Sequence, residues 1–139
     1  MSLLPLLFSL VTSAWAGGVL RAEVSALRSD QGSVLCALYS SYEGFPGDPQ
    51  KALVTISAQI QSGKAICEFA RATPGTYAVS VVHDEDSDGK MKTGWFGIPK
   101  EGVGASNDAK GSFGPPKFNA ARFDYPGGAL VLKIHLVYL

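Results

Sequence analysis

The stretch HDEDSDGKMKTGWFG, residues 83–97, sets four carboxylates, Asp84, Glu85, Asp86 and Asp88, within five positions and then turns on Gly89. Asp84, Asp86, Asp88 and Gly89 satisfy D-x-[DN]-x-[DN]-G, in which alternate side chains face one centre. The glycine permits the turn that brings the backbone carbonyl of Lys90 in as a further ligand. Hard oxygen donors of this kind suit Ca²⁺. The complete loop also wants a polar ligand at its ninth position and a bidentate Glu at its twelfth, where this chain has Lys92 and Trp95. Glu101 is the acid that could fold back to replace them. The competing reading is an acidic turn held in water, where screened like charges repel by well under ~1 kcal/mol a pair.

A second chemistry would use His83 as general base, Asp84 to orient it and Glu101 as a second carboxylate, the parts of a small hydrolase-like enzyme. No GxSxG or HExxH spacing accompanies them, and the other histidine, His135, falls on the last apolar run beside Lys133. The alternative is a structural His83 whose ring closes the end of a sheet. Trp95 and Phe96 read either as an exposed platform for a sugar or partner protein, or as packing within a loop. Cys36 and Cys67, in VLCAL and AICEF, are the chain's two cysteines. Each sits on an inward-facing position, so they read as a disulfide or as two buried thiols, with the disulfide favoured in an oxidising compartment.

Strands must position these groups. Residues 19–27 alternate, with Leu20, Ala22, Val24 and Ala26 on one face; further short apolar runs occupy 34–41, 52–60, 65–70, 76–83, 121–125 and 129–138. Gly, Pro, Asp or Ser separates most of them, and no apolar stripe at helical spacing exceeds two turns. About seven short strands predict one all-β domain, a β-sandwich with Greek-key connections. Pro74-Gly75-Thr76-Tyr77 resembles the tyrosine corner of Ig-like sandwiches, in which the hydroxyl bonds back to upstream backbone. Residues 84–118 show neither period. A connection that long is usually functional or disordered, and Met91, Trp95, Phe96, Ile98, Val103, Phe113 and Phe118 predict that it is ordered and folds against the sandwich. Six of the 12 acids and seven of the 16 glycines lie there, so function is expected in this segment.

The N-terminal MSLLPLLFSLVTSAWAGG reads as a secretory signal peptide, residues 1–16, with Ala14-Trp15-Ala16 as the small-x-small cleavage pattern, although no Lys or Arg precedes Leu3. Its apolar run is short of the ~20 residues that cross a bilayer, and no later segment is longer, so no transmembrane segment is expected after cleavage of the domain 17–139. The expected location is secreted or periplasmic. With 12 basic and 12 acidic residues there is no basic field to gather phosphates, which argues against nucleic acid as a partner.

The matches His83-Asp84-Glu85, Asp88-Gly89-Lys90, Gly97-Ile98-Pro99, Glu101-Gly102, Gly104, Ser106-Asn107 and Gly114-Pro115-Pro116 with Phe118 make this segment similar to the one that marks DUF2141. This is a family of exported bacterial proteins whose role is not established. The resemblance implies an Ig-like or transthyretin-like sandwich and export, but no reaction. Asp86 and Asp88 stand where the family has Asn, and Lys92 where it has Asp. Together with Trp95, the motif positions His83, Glu85, Ser106 and Asn107 are the candidate binding residues. The residues favour an envelope binding or interaction module, with an envelope protein or glycan as partner, over the enzyme.

Overall fold

The computed structural model describes residues 18–87 and 101–138 of the 139-residue chain. The candidate signal peptide and the positions Asp88, Lys90, Trp95 and Phe96 lie outside them.

Eight strands, β1 (Leu20–Ser25), β2 (Ser33–Tyr39), β3 (Val54–Gln59), β4 (Ala65–Phe69), β5 (Gly75–Asp84), β6 (Val103–Ala105), β7 (Phe123–Tyr125) and β8 (Leu130–His135), form two sheets. In the first, β1 runs between antiparallel β4 and parallel β8. In the second, the order is β3-β2-β5-β6, all antiparallel, and β7 pairs with the first residues of β5. Each expected strand is present. β1 stops one residue before Ala26, which takes a left-handed φ of 64° and is exposed instead of continuing the inward row.

Alternation decides what is buried. Leu20, Ala22 and Val24 of β1, Ala65, Cys67 and Phe69 of β4 and Ile134 of β8 meet Val34, Cys36 and Leu38 of β2 and Tyr77, Val79 and Val81 of β5 in one core. Cys36 and Cys67 are disulfide-bonded across that core, joining β2 of one sheet to β4 of the other. The Tyr77 hydroxyl donates to the Thr73 carbonyl at 2.6 Å, the upstream bond of a tyrosine corner.

Two expectations are corrected. Residues 84–118 are not strandless: Val103–Ala105 forms β6 against β5, although three residues buried on both faces carry no period to read. Residue 121 closes a short helix, α1 (Phe118–Ala121), rather than opening a strand. Both changes follow from β5, which is buried from Tyr77 to Asp84 on both faces. Its second face is covered by a small cluster in which Ala78, Ala105 and Ala121 pack with Phe45, Ala109 and Phe118. Phe118 lies down as expected, whereas Phe113 is fully exposed.

Tyr39 anchors the 41–48 turn under that cluster. Its hydroxyl donates to the backbone carbonyls of Asp48 (3.0 Å) or Pro46 (3.2 Å), and its ring meets Phe45 edge-on. Burial pushes its pKa up to about 12. A raised folded-state value means the associated stability is complete below the unfolded value of about 10 and is lost as pH rises through about 12. Absorbance titration should show one tyrosine ionising last, and Tyr39→Phe should remove that late component. The disulfide carries a second expectation: with its halves 31 positions apart in sequence, a Cys36→Ala/Cys67→Ala variant should lose about 3–4 kcal/mol by chain entropy in a denaturant melt. Intact mass after alkylation without reductant should be unchanged; two added alkyl groups would show free thiols.

Candidate functional site

Four segments distant in sequence meet at one end of the sandwich: the end of β5 with the turn after it (residues 83–87), the approach to β6 (residues 101–103), the β1–β2 turn (residues 28–32) and Tyr138 after β8. Continued pairing is what brings them together. The His83 N–H donates to the Gly102 carbonyl at 2.9 Å, and Val103 and Val137 exchange two backbone bonds. Two glycines let the chains approach. A Cβ on Gly102 would stand 2.5 Å from the Tyr138 ring, and one on Gly32, where φ is +73°, would stand 2.0 Å from the Asp84 carbonyl oxygen.

His83 is wholly buried, and both ring nitrogens are engaged. The Gln31 carbonyl, 2.8 Å from Nε2, can only accept, so Nε2 carries a proton. Nδ1 then accepts from the Tyr138 hydroxyl at 2.7 Å, and that oxygen receives the Arg28 N–H at 3.1 Å. The Arg28 N–H, the Tyr138 hydroxyl, the two His83 ring nitrogens and the Gln31 carbonyl thus form one hydrogen-bonded series. Both ring nitrogens are thus bonded within the fold, and His83 links the β1–β2 turn to Tyr138.

Glu85 turns the other way. Arg28 grips its carboxylate through Nε, 3.1 Å from each oxygen, and through Nη2, while the Ser29 hydroxyl donates at 3.0 Å. The Arg28 bond holds the Glu85 carboxyl below the ordinary glutamate range, with burial opposing and Ser29 assisting. The same guanidinium lies 4.6 Å over the Tyr138 ring.

The remaining acids converge. One carboxylate oxygen from each of Asp84, Asp86 and Glu101 lies within 4.8 Å of the others. Asp84 and Glu101 are buried, and Asp86 is exposed. The Glu85 backbone N–H donates to Glu101 Oε2 at 3.2 Å, which fixes Glu101 over the turn. An ion with ligands at about 2.3–2.6 Å bridges oxygens up to about 5 Å apart, so this spacing fits Ca²⁺. The spacing of Asp84 and Asp86 was legible in the sequence, whereas Glu101 was there only an acid that could fold back, and its place beside them comes from the structure. Arg28, Gln31 and Tyr138 were not legible, because nothing local marks residues 52 to 110 positions apart as partners.

Ser106 and Asn107 stand elsewhere. The Ser106 hydroxyl donates to the Ala121 carbonyl (2.6 Å) and accepts from the Val79 N–H (2.9 Å), tying α1 to β5. Asn107, at φ 61°, donates through Nδ2 to the carbonyls of Ala120 and Arg122. These contacts hold the cover of β5 in place.

Residues 22–131 match the profile of DUF2141, described as uncharacterized protein conserved in bacteria. The chain belongs to this family. No curated protein and no solved structure gives a significant match. Among the described residues no helix is long and apolar enough to cross a membrane.

Tyr138→Phe should test the histidine network. It leaves His83 Nδ1 and the Arg28 N–H without their partner and should cost about 1–3 kcal/mol in urea melts. A variant as stable as the wild type would remove the network from the account of this corner.

Proposed function

We propose that this DUF2141 protein is an exported binding or interaction module of the bacterial cell envelope, periplasmic or secreted, rather than an enzyme. In this reading its acidic corner takes Ca²⁺ with low affinity to order the connection between β5 and β6. The observation that carries the cation is the convergence of Asp84, Asp86 and Glu101, two of them buried. Two buried carboxylates under 5 Å apart repel by roughly 3 kcal/mol at an effective dielectric constant near 20, and a divalent ion converts that repulsion into attraction. Asp84 and Asp86 come from the turn and Glu101 from the far side of the connection, so one ion would clasp both ends of the segment. Asp88 and the Lys90 carbonyl are the further ligands the loop pattern supplies, and the role of the ion is structural. Export is supported by the apolar leader with its Ala14-Trp15-Ala16 cleavage pattern and by a disulfide, which persists in oxidising compartments.

With two standard ligand positions lost, one of them to Lys92, Kd should be about 10⁻⁴–10⁻³ M, in the range of extracellular calcium modules. At ten times Kd the folded state gains about 1.4 kcal/mol, a rise of several degrees in melting temperature. Melts in millimolar Ca²⁺ against chelator should show that rise in the wild type, and Asp86→Asn, at an exposed position, should abolish it without unfolding the domain. A wild-type melt unmoved by Ca²⁺ would identify the acidic run as a turn held by its own hydrogen bonds. Protein recovered from its native host should begin at Gly17 by intact mass; a retained leader would overturn export.

A further inference from the structure

The 41–45 turn and the 110–120 segment line a groove, open to solvent, of about 1160 Å³. Its apolar content is aromatic. Phe45 and Phe118 meet edge-on at the base with ring centroids 5.9 Å apart, and each is partly buried. Tyr42 and Phe113 stand at the walls, 75% exposed and fully exposed respectively. A phenylalanine with its whole surface in water gains nothing for the fold, and exposed apolar surface gathered in one place marks a binding surface. Lys110 and Lys117 complete the lining, and among the described residues no carboxylate lines it; Glu43, in the same turn as Tyr42, does not. In a chain of equal acid and base counts, that is a local excess of positive charge.

We infer that this groove binds an acidic oligosaccharide, one whose sugar rings carry carboxylates: Tyr42 and Phe113 would stack on ring faces while Lys110 and Lys117 pair with the carboxylates. This deepens the binding-module reading and rests on it, but not on the calcium site. The pairing of exposed aromatic faces with two lysines and no lining carboxylate among the described residues is what suits sugar rings that bear carboxylates. A peptide adding to a sheet would need a free strand edge, and the walls are turn, irregular segment and α1, none of them strand.

The test is titration calorimetry of the oxidised protein with polygalacturonate, performed in chelator so that the calcium site plays no part. Dextran, poly-glutamate and vesicles of phosphatidylglycerol with phosphatidylcholine serve as comparison probes. Polygalacturonate should bind and dextran should not. Phe113→Ala, which removes a side chain that packs on nothing, should weaken binding by about tenfold, the upper range of one aromatic contact. Lys110→Gln/Lys117→Gln should weaken it further and flatten its salt dependence. Lys64→Gln, in the β3–β4 turn, and Asp86→Asn should leave it unchanged. Equal binding of poly-glutamate with no effect of Phe113→Ala would show a charge-only surface and overturn the inference. Binding to vesicles alone, or to none of the probes, would overturn it as well. Calcium melts that fail while polygalacturonate binds would sink the cation and leave the groove standing.

Discussion

The two-sided burial of β5 is the constraint on which the rest of the structure depends. From Tyr77 to Asp84 no side chain of this strand faces solvent. One face joins the core between the sheets and the other needs a cover of its own. A strand with small residues at Ala78 and Ser80 can accept that cover only at close range, and Ala105 and Ala121 come near because they too are small. The segment after Glu101 is therefore part of the fold. Ser106 and Asn107 hold it with hydrogen bonds to backbone, and Asp108 pins it to β8 by accepting from both the backbone N–H and the ring Nδ1 of His135.

Burying the end of β5 has an electrostatic consequence. Polar groups withdrawn from water need partners, and His83 and Asp84 are both withdrawn. His83 is held by Tyr138 and Gln31, and Tyr138 in turn by the Arg28 N–H. Asp84 shares its surroundings with Glu101 and Asp86, and Arg28 is bonded to Glu85 beside them. The proposed cation reading draws on the carboxylate side of this corner, where Asp84, Asp86 and Glu101 converge.

The cover carries a second consequence on its outer surface. Phe45 and Phe118 are committed to the cluster beneath, but the turn and segment that deliver them also present Tyr42 and Phe113 to solvent. Scaffold and groove are thus two sides of the same elements, and a ligand there would bear on a surface that α1 and the Ser106 hydroxyl hold rigid. The acidic corner and the aromatic groove lie toward opposite ends of the 101–118 segment, with separate chemistry in each.

What the sequence by itself determined was whatever depends on neighbours along the chain. Partial alternation and short apolar runs bounded by turn residues located seven of the eight strands, and inward phase put Cys36 and Cys67 on core positions. The Pro-Gly-x-Tyr corner was readable for the same reason, and the D-x-D spacing placed Asp84 and Asp86 together in a turn. β6 was not legible, because a three-residue strand covered on both faces has no polar side to alternate with. Nor was the fate of His83: its chemistry is set by Tyr138 and Gln31, 55 and 52 residues away. Phe113 shows the converse, an apolar residue whose composition argued for burial and whose position at a wall left it in water. Local periodicity reports which face a residue takes; only the tertiary structure decides what stands opposite that face, because partners are chosen by sheet register and chain approach rather than by distance in sequence.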